Sequence, residues 1–326
     1  MHPNHVDLYA GFYGVALVPN SFDLGRGVAV SQTYAHFMAP FMMAFARAPP
    51  GKHHPGPWKA AKGGIFIDIT AELFLPASTS AQQLDRMNTV WWIAALMRLH
   101  AANAISVPVI SSERFASIPV IEQEPHLWPM EIHTPRLFPE GSDVRSMDVR
   151  ELEWLRDNWY EAAALLRKED FSVAFQGVDS SIWNHSPALG LVAVWGALER
   201  LFSPSHVELS FRVSANIAAY LEPPGRGRYI CFKKIKALYD SRSKAAHGSG
   251  EADLMPYAET YAIARRVLLK MIEDRHVPDR KELEAGLFGD PVGLSPGSSV
   301  RAIGNYPRPH PRPPPPRWID TSSLRT

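Results

Sequence analysis

The sequence predicts an α+β N-terminal domain followed by an all-α helical bundle, and three features predict it. In residues 64–76, Ile67, Ile69, Ala71, Leu73 and Leu75 alternate with Asp68, Thr70 and Glu72. A period of two marks a strand with one buried face. After residue 147 the apolar spacing changes to the helical period and stays there to about residue 274. Between the two regimes lies a polar boundary, residues 137–147 (LFPEGSDVRSM). The division that follows is an α+β part over 1–140, to which no chemistry attaches, a helical bundle over 148–276, and a proline-rich tail over 287–326.

Each element has its own signal. Residues 8–19 and 27–33 read as strands joined by turn residues, and 48–63, rich in Pro, Gly, Lys and His, as a loop. Ser78–Ser80 is placed to cap a helix running to about residue 100, with Leu84, Met87, Trp91, Ala94, Ala95 and Leu99 as its stripe. Residues 105–110 and 128–133 read as short strands. Six helices follow, at 148–168, 171–183, 188–202, 207–221, 228–247 and 254–274, with Pro223-Pro224 stopping the fourth and Gly248-Ser249-Gly250 the fifth. Short connections between them argue a bundle. The tail ends in PRPHPRPPPPRW, a composition that favours extended polyproline II without a core; it reads as a disordered tail, or as a docking ligand for a partner that reads proline-rich segments.

Composition bounds the function. The chain has 326 residues, 46% of them hydrophobic and 21% charged, and a formal net charge of +1. Any attraction for a polyanion must therefore be local. One cysteine, Cys231, excludes a disulfide framework or a thiolate zinc site within one chain. The N-terminus shows no basic region followed by an apolar run, and the longest apolar runs are about half the ~20 residues a spanning helix needs. The expectation is a cytoplasmic protein without a membrane partner. No phosphate loop, nucleophile elbow or dinucleotide fingerprint occurs, and His53-His54 has no nearby ligand to complete a metal site. No cofactor and no metal are expected.

The fifth helix carries the chemistry. Its apolar seam runs through Cys231, Ile235, Leu238 and Ala245, and Arg242 stands where the seam expects an aliphatic residue. A charge buried there needs a partner, and a carboxylate or phosphate suits its fork. On the third helix Glu199 interrupts the stripe Val192, Trp195, Phe202 in the same way. Either the two form a buried ion pair or each lies at a stripe's edge and reaches water. Lys233, Lys234, Lys236 and Lys244 crowd the same helix, with Asp240 the one acid between Arg226 and His247; this is either a solvated face or a phosphate-backbone contact. His247 follows Arg242 by five positions, which on a regular helix leaves the two side chains ~140° apart. They converge only if the last turn loosens, if the arginine arm swings round, or if two chains contribute. By itself such a histidine is a helix cap or a proton-exchanging group.

Three runs, VWGALERLF at 194–202, SFRVSANIAAYL at 210–221 and LYDSRSKAAHG at 238–248, resemble the HEPN superfamily, and more closely its Apea-like branch. The resemblance covers about 148–276. It implies an up-and-down helical bundle that forms a homodimer, and membership among metal-independent endoribonucleases or RNA-binding proteins of defence and toxin-type stress systems. Carried over, Arg242 would hold the scissile phosphate, His247 would be the general acid/base, and Glu199 would orient Arg242. Tyr239, Asp240 and Ser243 support the pair; Ser243 after the arginine is as in the Apea-like branch. The competing reading is a non-catalytic binding or dimerisation module with a structural Arg242–Glu199 pair and a capping His247.

Overall fold

The computed structural model describes residues 3–52, 56–132, 144–203, 209–246 and 254–289, with backbone alone for residues 4 and 243–246. It has an N-terminal antiparallel sheet followed by several helices, as the change of period predicts. The sheet takes the order β3 (Ser21–Gly25), β4 (Val28–Ala46), β5 (Gly56–Leu75), β1 (Leu8–Tyr13), β6 (Ser106–Ser111), β7 (Leu127–Pro129). Every neighbouring pair in it is antiparallel. A separate parallel pair joins β2 (Val15–Leu17) to β8 (Arg145–Met147).

Two expectations in this half are corrected. Residues 48–63 are not all loop: β4 and β5 form one long hairpin, with Ala46 opposite Gly56 at its far end. The alternation that reveals a strand needs one wet and one dry face, and none of the described residues from 32 to 68 is buried. The first long helix is α1 (Arg86–Ala101), and its N-cap is Asp85, which accepts from the backbone of Asn88, rather than Ser78–Ser80. Its burial is also wider than one stripe. Val90, Trp92, Ile93, Leu96 and Met97 are buried together with Ala94, Ala95 and Leu99. A helix apolar on all sides must be covered on all sides, and α1 is packed by β5 and β6 from one half and by α2, α3 and α7 from the other.

The helical half contains α2 (Val149–Asn158), α3 (Glu169–Ser181), α4 (Pro187–Phe202), α5 (Leu209–Leu221), α6 (Arg226–Ala246), α7 (Leu254–Asp274) and α8 (Arg280–Leu287). The single helix expected over 148–168 is broken into α2, a turn, and a 3-10 segment at Ala162–Arg167. The break serves Trp159, which is buried and donates from its indole to Leu24 O at 2.8 Å, while Trp159 O accepts from Trp92 at 2.7 Å. α8, with the capping box Asp279/Glu282, is an element that the sequence reading left inside the last connection. Residues Met1–Gly293 form one compact unit, with one apolar cluster running from Leu8 to Leu283. The boundary at 137–147 therefore marks a change of element type within a shared core. The proline-rich tail beyond residue 289 lies outside the described residues.

At the centre is Arg98 of α1, 1% exposed. It forks onto Asp179 of α3 at 2.8 and 3.0 Å, and its third nitrogen reaches Glu131 at 2.9 Å and Ile105 O at 3.1 Å. Burial alone would push its pKa down; the two carboxylates more than reverse this. Removing one partner of a buried pair leaves an uncompensated charge, at a cost of ~3–5 kcal/mol. Asp179→Ala is expected to lose about that much in urea denaturation, whereas replacing Arg98, Asp179 and Glu131 together by apolar residues should lose less.

Candidate functional site

α4 and α6 pack side by side, and this brings Glu199 and Arg242 together. Each helix starts from a clear local signal. Ser186 caps α4 by accepting from Leu189, with Pro187 in its first turn, and Pro223-Pro224 separates α5 from α6. Trp195 and Phe202 on α4 and Ile235 and Leu238 on α6 are buried, so the two stripes that carry the charges face the core and each other.

The pair is a fork. Arg242 Nη1 lies 3.0 Å from Glu199 Oε1 and Nη2 lies 3.2 Å from Oε2. Tyr239 closes the triangle, donating its hydroxyl to Glu199 Oε1 at 2.7 Å and accepting from Arg242 Nη1 at 3.3 Å. Trp195 meets the Tyr239 ring edge-on at 4.9 Å. The Arg242 and Glu199 side chains are 27% and 18% exposed, so the pair sits at the rim of the core, between the two readings the sequence left open. Burial and the hydrogen bond to Glu199 push the Tyr239 hydroxyl up to about 12. Arg242 Nε is buried and finds no partner among the described residues, which leaves one donor of the fork unspent.

The other expected site residues divide. Asp240 is turned away from this network and pairs with Lys236 at 3.4 Å. Lys234 pairs with Glu259 at 3.5 Å, and Lys233 lies over the Tyr229 ring at 5.5 Å. At ~100° per residue, Lys233, Lys236 and Asp240 stand ~120–180° round α6 from Arg242. The exposed basic face and the Arg242 face are thus different faces of one helix. His247 and the side chains of Ser243 and Lys244 lie outside the described residues.

Glu199 also lines an open groove of about 410 Å³ with Asp170, Gly196, Arg200, Ser203 and Leu209. Arg200 crosses it to Asp170 at 2.5 Å and Glu169 at 3.1 Å. A Cβ added at Gly196 would meet open space, so the groove's depth beside Glu199 depends on that glycine. The sequence reading missed this groove; the signal was Gly196 one turn before Glu199 on an otherwise bulky stripe. Among the described residues, no group of three His, Cys, Asp or Glu side chains is placed to hold a metal ion.

The network makes a stability prediction. Tyr239 has a folded pKa above its unfolded value of ~10, so its contribution is fully present below pH ~10 and is lost as the pH rises through about 12. Tyr239→Phe should lose ~1–3 kcal/mol at neutral pH by denaturant titration. The gap between wild type and variant should then narrow from pH 10 upward. No family model, curated protein or solved structure matches this chain, and the chemistry of the site is read from its sequence and geometry alone.

Proposed function

We propose that the chain acts on RNA as a metal-independent endoribonuclease of the HEPN kind. The observation that carries the reading is the Glu199–Arg242–Tyr239 triangle at the rim of the core on the helix that collects Lys233, Lys234 and Lys236. A guanidinium fixed by a carboxylate and a phenol is pre-oriented, and the exposed quarter of the Arg242 side chain is where it can meet charge on a phosphate. The lysines supply the sequence-independent attraction for the backbone. In the reaction, the ribose 2′-oxygen attacks the adjacent phosphorus and the bond to the 5′-oxygen breaks. The 2′-hydroxyl proton leaves to a base, the 5′-oxygen receives one, and the products are a 2′,3′-cyclic phosphate and a 5′-hydroxyl. His247 is the group assigned to that proton traffic. Because the lysine face and the Arg242 face diverge on α6, the reading requires a second copy of the chain, whose α6 completes the cleft.

One observation favours a second reading. Both terminal nitrogens of Arg242 are already on Glu199, as in a structural pair that serves a non-catalytic binding or dimerisation module.

Incubating the purified chain with single-stranded RNA, with and without a chelator, separates the two. The endoribonuclease cuts equally in both and leaves cyclic phosphate ends, and His247→Ala and Arg242→Ala each slow cutting by ~10²-fold or more. RNA left intact by the wild type, or cut as fast by His247→Ala, establishes the binding module instead.

A further inference from the structure

The β4–β5 hairpin leaves the body of the sheet as a two-stranded arm. Its neighbours stop early: β3 pairs β4 no further than Ser31, and β1 pairs β5 no further than Ala71. Residues 33–46 continue with only β5 beside them, ~45 Å at ~3.3 Å per residue. An isolated ribbon gains little stability in water and does not ordinarily carry large apolar side chains into it. This one exposes Met38, Phe41, Met42, Met43, Phe45 and Phe66, each more than half exposed.

The two faces differ. Phe37 pairs with Ile67, Ala39 with Ile65 and Met43 with Lys59. By the period of two, Phe41 and Phe45 share that face. The row begins on a small core of Ile69, Val109 and Phe115, against which Ala35 and Phe37 pack, and then runs outward uncovered by any described residue. The register shifts between Pro40 and Met42, and β5 absorbs it at Gly63 and Gly64, whose φ values are +103° and +158°. Phe41 lies over this site, 3.7 Å from where a Gly63 Cβ would be. The opposite face is mixed, with Met38, Met42, Trp58 and Phe66 beside His36 and Asp68, which pair at 2.8 Å.

The charge is one-sided as well. No acidic residue occurs between Asp23 and Asp68, and the outer half of the arm carries Arg47, Lys52, Lys59 and Lys62. Cationic ends oppose stacking arms of two copies against each other and call for an anionic surface. Nucleic acid is the poorer fit. A polyanion is tracked by cations spread along its path and by rings that stack on bases. Here β4 from residue 33 to 46 has no charged group apart from His36, and half of its apolar row is Met and Ala.

We propose that this arm docks on an anionic lipid bilayer. It lies in the interface with Phe37, Phe41, Met43, Phe45, Ile65 and Ile67 toward the acyl chains. Arg47, Lys52 and Lys59 reach headgroup phosphates, and the His36–Asp68 side stays wet. The unpaired strand edges keep their N–H and C=O groups at the hydrated headgroup level, so the arm lies on the bilayer and does not cross it. The sequence expectation of no membrane partner rested on helix-length apolar runs. Among the described residues no helix is long and apolar enough to cross a membrane, and a ribbon is invisible to that criterion. This proposal stands apart from the RNA reading and does not depend on it.

Flotation of the full chain with vesicles tests it, using phosphatidylcholine alone and phosphatidylcholine mixed with phosphatidylglycerol. The chain should float with the anionic vesicles, less with the neutral ones, and less as salt rises. Phe41→Asp combined with Phe45→Asp should cut flotation by about tenfold or more, and Lys52→Glu combined with Lys59→Glu should remove the preference for anionic lipid. All four positions are exposed, so thermal melting should be unchanged, which separates loss of docking from loss of fold. Wild type that stays with the soluble fraction, or Phe variants that float as well as wild type, would overturn the proposal. So would a fluorescent RNA, or a multimer seen by light scattering in the absence of lipid, that the Phe variants specifically abolish.

Discussion

Among the described residues Arg98 is the most deeply enclosed cation, and its neutralisation holds the layers together. Asp179 comes from α3 and Glu131 from the segment after β7, while Glu131 also accepts from the backbone of Val107 at 2.8 Å. A desolvated guanidinium with three acceptors from three parts of the chain fixes their relative positions more tightly than apolar contacts, which lack direction. The consequence propagates. α3, which carries Asp179, packs along α4, and α4 packs along α6, so the helix that carries Glu199 lies between the one anchored on Arg98 and the one that carries Arg242. The two charge networks differ in burial and hence in what they are free to do. Arg98 is sealed in, whereas Arg242 is about a quarter exposed and can meet a second anion.

Much of this was legible because it rests on periodicity. The four-three spacing through Arg242 on α6 and through Glu199 on α4 is enough to place two opposite charges on core-facing stripes, and the fork at 3.0 Å is its outcome. Helix ends were legible where a proline marks them, as where Pro223-Pro224 stops α5 after Leu221. Local signals failed where tertiary demand overrode them. The turn after Asn158 exists to seat Trp159 between Leu24 and Trp92, and nothing in residues 148–168 announces it. Ser78–Ser80 offers the right side chains for a cap, but Asp85 is the one beside the first buried turn of α1. The outer part of the long hairpin was illegible for the opposite reason: both its faces are wet there, so its apolar residues form no alternation with polar ones, as they do at its base in 64–76.

α6 shows how one helix separates two roles. Ile235, Leu238 and Tyr239 bind it to α4, with Arg242 at the edge of that seam; Lys233 and Lys236 occupy the far side, and Lys234 stands ~80° from Arg242. Pairing Lys234 and Lys236 with Glu259 and Asp240 at 3.5 and 3.4 Å weakens but does not erase the local positive field, since exposed pairs of this length contribute little and exchange readily. The second cationic surface, on the β arm, carries a row of Phe41, Met43 and Phe45 along the same element, where α6 exposes Tyr229 and Ile230 near its start. Polyanions and bilayers both attract lysine; the apolar row is what separates the two surfaces.

The central claim is that the triangle of Glu199, Tyr239 and Arg242 exists to present a guanidinium to a phosphate. An experimental structure of the chain with an RNA made uncleavable by a 2′-deoxy substitution at the scissile position tests it most directly. The account predicts the scissile phosphate against the exposed edge of the Arg242 guanidinium, with Glu199 and Tyr239 still holding it and His247 within hydrogen-bond reach of the leaving oxygen. Arg242 closed on Glu199 with the nucleic acid bound elsewhere, or no nucleic acid bound at all, would contradict it.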